Sequence, residues 1–112
     1  MTIRAGSLDM RAMRLATTKA GGLLKALANP DRLLLLCQLS HGEHCVSELE
    51  ELLGIQQPTL SQQLGVLREE RLVNTRREGK QIFYSIASKE ALAVMQVLYP
   101  QFCTPDAGEN DD

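Results

Sequence analysis

The chain has 112 residues, 44% hydrophobic and 23% charged, with a net charge of −2 at neutral pH. That length holds one hydrophobic core, and no apolar run approaches the ~20 residues of a membrane span. The opening MTIRAGSLDMRA lacks a signal-like apolar stretch, and three cysteines are an odd count, so a cytoplasmic protein without a disulfide framework or membrane partner is expected.

Leu, Ala and Val dominate the apolar residues, with two Phe, two Tyr and no Trp, which favours helices over a β-sandwich. Charge is segregated: residues 1–32 and 68–80 are net basic, whereas 33–67 and 106–112 are net acidic. Local basic clusters can hold phosphates on an acidic chain, although accidental clustering on a solvated surface would look the same.

The first helix is predicted from about Leu8 to Leu27, with Ser7 as a possible cap and an apolar stripe of Ala12, Ala16, Ala20, Leu23, Leu24 and Leu27. Gly21 and Gly22 weaken it by roughly 1 kcal/mol each, so packing against other elements must hold it. Asn29-Pro30 reads as a cap followed by proline at the first helical position, opening a helix over 30–39 whose run Leu33–Leu36 suits burial. Ser47 with Glu50 fits a capping box for a short helix over 48–53, closed by Gly54. A further helix is predicted over 57–70, with Pro58 in its first turn and Leu60, Leu64 and Leu67 facing inward. Two β-type runs, 72–77 and 81–86, flank Glu78-Gly79-Lys80. A last helix is expected over 89–99, capped by Ser88 and ended or kinked by Pro100. Residues 104–112 are acidic and expected to be disordered, leaving 1–103 as the folded unit. The fold class is therefore mainly α with a small β-hairpin: a winged helix-turn-helix of five helices and a two-stranded wing.

With the three leucines inward, the helix over 57–70 turns Pro58, Thr59, Gln62, Gly65 and Val66 outward, with Ser61 beside them. Small polar side chains suit entry into a DNA major groove about 12 Å wide. Gln62 can bond adenine bidentately, Ser61 and Thr59 can bond base edges, and Thr59 or Pro58 can touch a thymine methyl. Gln56 and Gln57 stand at the helix N-terminus, where phosphates are favoured. Arg68, Arg76, Arg77 and Lys80 would supply phosphate or minor-groove contacts. An ordinary surface helix would also be polar outward; the tight succession of helix-turn-helix, hairpin and basic turn favours double-stranded DNA as partner. A dimerisation module alone would not need Arg76, Arg77 and Lys80 on a wing.

ALANPDRLLLL, VSELEELLGIQQPTLSQQLGVLREERLV and RREGKQIFYSI resemble successive motifs of the ArsR family of winged-helix repressors. The resemblance covers roughly residues 20–103. It implies a homodimer built on the first and last helices, a palindromic operator and a recognition helix at 57–70. Gln56 stands where members often have a capping Ser, and Gln63 where they often have His.

Metal-sensing relatives carry a Cys-x-Cys where this chain has Cys45-Val46-Ser47, or use Asp and His on the last helix, which residues 89–99 lack. A soft metal wants three or four good ligands. His41, His44 and Cys45 are expected in a loop, so a metal-released repressor is the disfavoured alternative, and no cofactor is expected. A thiol enzyme using Cys37 or Cys45 with His41 or His44 would lack a Gly-rich oxyanion turn and an orienting acid, so enzymatic activity is not expected. Cys37 and Cys103 could each be a small buried hydrophobe. As a pair they are similar to the dithiol of the persulfide-sensing branch of the family (the SqrR, BigR and HlyU type). That resemblance implies sensor thiols that react with reactive sulfur species and join through a disulfide or polysulfide bridge. Cys45 has no counterpart role there.

Overall fold

The computed structural model describes residues 9–102, so Ser7, Cys103 and the acidic segment 104–112 lie outside the described residues. Helix α1 spans Met10–Leu27. It starts later than expected, with the Asp9 carboxylate at the cap accepting the Arg11 N–H at 3.1 Å. A carboxylate there also suits the positive end of the helix dipole. Only Ala26 and Leu27 of this helix are buried.

Helix α2, Pro30–Leu39, has the predicted limits, and the Asn29 side chain accepts the Arg32 N–H at 3.1 Å. Leu35, Leu36 and Leu39 are buried, but Leu34 is 43% exposed, so the leucine run is not uniformly internal. Residues His44–Cys45, expected in a loop, form strand β1. That strand corrects the next helix boundary. Its extended backbone carries Cys45 into cap geometry, and α3 begins at Val46 and ends at Leu53. Glu48 Oε1 accepts the Cys45 N–H at 2.9 Å, so the Cys45/Glu48 spacing replaces the expected Ser47/Glu50 box. Gly54 then closes α3 at φ 69°, where a Cβ would be strained.

Helix α4, Gln57–Glu69, buries Leu60, Leu64 and Leu67 and keeps Pro58 in its first turn, as predicted. Strands β2, Val73–Glu78, and β3, Gln81–Ile86, pair antiparallel. Glu78 faces Gln81 in register, so the connection is the two-residue turn Gly79-Lys80 and the first strand lies one residue later than expected. Gly79 at φ 65° supplies the left-handed residue such a turn needs. The sheet order is β1-β3-β2. Helix α5, Lys89–Phe102, starts under Ser88, whose Oγ accepts the Ala91 N–H at 3.0 Å. It runs through Pro100 instead of ending at Tyr99; so near its end, the proline removes a single ladder bond.

The core gathers Leu35 and Leu36 of α2, Leu49 of α3 and the three leucines of α4 against Tyr84, Ala91 and Met95. Five helices and a hairpin wing make the expected winged helix-turn-helix, with β1 as an added edge strand. No helix among the described residues is long and apolar enough to cross a membrane.

Candidate nucleic-acid interface and cysteine site

The leucines at 60, 64 and 67 orient α4 by sinking one side into the core. Its other side leaves Gln57, Pro58, Thr59, Ser61 and Gln62 exposed together, with Gln56 at the cap and Arg68 in the last turn. Ser61 Oγ donates to Gln57 Oε1 at 2.9 Å, which aligns two of these side chains along the helix. Val66, expected on the outer face, is half-buried.

The wing separates the basic residues that the sequence groups together. Arg77 and Lys80 are exposed. Arg76 is held by its own chain: Nε and Nη2 donate to the two Glu43 carboxylate oxygens at 2.7 and 2.8 Å, and Nη1 donates to Glu78 Oε1 at 2.7 Å. Its guanidinium carbon also lies 4.7 Å from the Phe83 ring centroid. Arg76 faces Phe83, and Phe83 faces Cys45, so the arginine spans the sheet to reach Glu43, just ahead of β1. Donation from Arg76 holds the Glu43 carboxyl below its ordinary range, and the carboxylates raise the arginine's pKa further. Arg76, with its side chain 51% exposed, is thus engaged by two carboxylates within the wing. The Arg76/Glu78 spacing, two apart on one strand, is readable in the sequence; Glu43 is not, because its approach depends on the unforeseen strand β1.

Around β1, His44 Nε2 lies 3.2 Å from Gln38 Nε2, and His44 Nδ1 lies 3.6 Å from Glu48 Oε1. The Cys45 N–H holds the Glu48 carboxyl below its ordinary pKa. His41 meets the Tyr99 ring edge-on at 5.4 Å. Among the described residues, no three His, Cys, Asp or Glu side chains gather in a way that could hold a metal ion. Cys45 is buried, its Sγ 3.2 Å from Ser47 Oγ.

Cys37 is half-buried on α2 and lines an apolar cavity of about 340 Å³ with Leu33 and, from α5, Met95, Leu98, Tyr99 and Phe102. Phe102 directly precedes Cys103, which lies outside the described residues.

A short helix, a turn at Gly54, an outward polar helix and an adjoining hairpin define a winged helix-turn-helix protein, a DNA-binding regulator of transcription rather than an enzyme. The chain belongs to the arsR family of bacterial regulatory proteins, whose family model matches residues 29–75. The biofilm growth-associated repressor of Agrobacterium fabrum is 52% identical over 101 residues, covering 90% of this chain and 86% of its own. Reduced HlyU from Vibrio cholerae superposes with a TM-score of 0.80 at 41% identity, over 84% of this chain and 99% of that one. The repressor BigR from Xylella fastidiosa does so with a TM-score of 0.77 at 47% identity, over 87% and 99%.

Proposed function

We propose that the chain is a cytoplasmic homodimeric repressor that binds palindromic operator DNA and leaves it when Cys37 and Cys103 react with reactive sulfur species. The outward polar face of α4, beside a wing carrying exposed Arg77 and Lys80, carries the DNA half of this reading. Gln62, Ser61, Thr59 and Pro58 would meet base edges; Gln56, Gln57, Arg68, Arg77 and Lys80 would meet phosphates or the minor groove. Residues 1–103 would form the DNA-binding and dimerising unit and 104–112 an acidic appendage. Similarity to the Agrobacterium repressor and BigR supports repression.

For sensing, the supporting observation is that Phe102, the neighbour of Cys103, shares an apolar cavity with Cys37. Similarity to reduced HlyU from Vibrio cholerae supports a thiol switch. In the balanced sequence, each thiolate attacks the sulfane sulfur of an organic persulfide and releases one thiol, leaving two protein persulfides. The terminal sulfur on Cys103 then attacks the cysteine sulfur of Cys37 and expels hydrosulfide, forming a trisulfide. Sulfane sulfur is reduced to hydrogen sulfide while the two thiols are oxidised. The added sulfur lets the bridge span cysteines too far apart for a disulfide, whose Cα atoms must lie within ~7 Å.

Gel shifts on duplexes enriched by the protein from a random pool, with intact-mass spectrometry in parallel, test the reading. A persulfide donor should add sulfur between Cys37 and Cys103 and release DNA. Cys37→Ser and Cys103→Ser should bind normally and ignore the donor, while Cys45→Ser responds like the wild type. Release of Cys37→Ser by the donor, or release of the wild type by zinc or arsenite alone, would overturn the sensing assignment.

A further inference from the structure

Arg32 stands in the first turn of α2, and its half-buried side chain reaches two other helices. Its Nε donates to the Ala26 carbonyl at 2.6 Å and its Nη2 to the Lys25 carbonyl at 3.4 Å, both in the last turn of α1. Its Nη1 donates to Gln63 Oε1 on α4 at 2.9 Å. The closing carbonyls of a helix are short of donors, and a cation there complements the negative end of the dipole. The planar guanidinium presents several N–H groups in a fixed fork, which a lysine ammonium cannot copy.

The position of Gln63 gives this link its consequence. Gln62, the adjacent residue, is exposed on the face assigned to base reading, and Leu64 on its other side is buried in the core. Apolar packing of Leu60, Leu64 and Leu67 attaches α4 to the body but is non-directional. A hydrogen bond, in contrast, weakens steeply when its angle is lost. The bond from Arg32 therefore restrains how α4 is turned about its own axis, relative to the end of α1.

We infer that Arg32 is a positioning residue that sets the orientation of the base-reading helix α4 against α1, the helix assigned to dimerisation. The inference rests on the DNA-binding reading above. It assigns to Arg32 and Gln63 a part in specificity without contact with a base: the clamp holds Gln62 in its reading attitude and relates that attitude to the subunit interface.

The test compares two duplexes by fluorescence anisotropy at one salt concentration: one enriched by the wild type from a random pool, and a scrambled duplex of equal composition. Arg32→Lys keeps the charge and loses the fork; Gln63→Ala removes the acceptor; Gln63→Glu retains one. Arg32→Lys and Gln63→Ala should each lower the ratio of enriched to scrambled affinity about tenfold, and the double variant should fall no further. Scrambled-duplex affinity should hold, since it depends on phosphate contacts. Gln63→Glu should keep the wild-type ratio. A purely structural role would lower the melting temperature and weaken both duplexes alike. An unchanged ratio in Arg32→Lys, losses that multiply in the double variant, or Gln63→Glu falling as far as Gln63→Ala would each overturn the inference. Should Arg32→Lys fail to fold, Gln63→Ala against Gln63→Glu decides alone. If the wild type enriches no duplex, the DNA-binding reading itself fails and the inference falls with it; enrichment followed by multiplying losses defeats the inference alone.

Discussion

Gln62 and Lys80 are both exposed, one on α4 and one in the wing turn, and the physics of their proposed contacts separates them. A side chain that bonds a base edge discriminates sequence; one that neutralises a phosphate does not. Gln62→Ala should cost ~1–3 kcal/mol on the preferred duplex and relax preference at one position, as read by anisotropy on base-substituted duplexes. Lys80→Ala and Arg77→Ala should instead weaken all sequences and flatten the salt dependence by about 0.9 per lost phosphate contact. Arg76→Gln should leave that slope at the wild-type value, because the guanidinium is engaged by Glu43 and Glu78. A slope as flat as that of Lys80→Ala would show that Arg76 exchanges its carboxylates for DNA. The same ion pair sets an acid limit. Glu43 has a lowered folded pKa, so its stabilising bond is present above the ordinary carboxylate value of 4.5 and is lost as pH falls through the folded value. Melting temperature should decline below that pH, and Glu43→Gln should remove part of the decline. Identical acid profiles for the two proteins would argue against a stabilising pair.

Among the helices, α1 is the one that the monomer leaves unfinished. Its residues 10–22 have almost no buried side chain, and Met10, Leu15 and Leu24 are each more than half exposed. At the other end of the chain, Val97 and Phe102 of α5 are 65% and 75% exposed. Helices that keep apolar side chains in water lack a partner surface, and a second copy supplies one symmetrically. On the proposed palindromic operator, two recognition helices would also have to reach half-sites ~34–36 Å apart, beyond the reach of one subunit. Leu24→Glu should therefore yield folded monomers that no longer bind the enriched duplex, detected by sedimentation velocity at micromolar concentration. A wild-type protein that sediments as a monomer under those conditions would contradict the arrangement. Leu60→Ala is the contrasting change: with Leu60 fully buried, it should cost ~2–5 kcal/mol in stability whatever the oligomeric state.

For the molecule as a whole, the proposed switch is a linkage between two equilibria. Helix α2 carries Cys37 and packs against α4, whereas α5 leads to Cys103 and shares the cavity at Cys37. A bridge between the cysteines would tie these elements and bias the separation of the two reading helices, which DNA also biases. A hundredfold loss of DNA affinity corresponds to ~2.7 kcal/mol of coupling, within the usual range. Reciprocity then makes a further prediction: because each bridge consumes two persulfides and releases two thiols, saturating operator should raise the donor-to-thiol ratio needed for half-maximal bridging, at fixed hydrosulfide, by the square root of that factor, about tenfold, measured by mass spectrometry. No shift would mean that bridging and DNA binding are independent.

Local chemistry alone determined most of this architecture: the Asn29-Pro30 helix start, the leucine spacing of α4, Gly54 after α3, and the alternation along 81–86 are signals between near neighbours in the chain. They sufficed for the five helices, the wing and the outward face of α4, because capping and periodicity act over a few residues. What only the tertiary structure decided involves partners distant in sequence. Strand β1 forms because β3 offers an edge, and that pairing moves the α3 cap to Cys45 and brings Glu43 onto Arg76. Arg32 meets Gln63 only after α2 has packed against α4. Single side chains chose among several possible partners there, and packing geometry, which no local pattern encodes, made the choice.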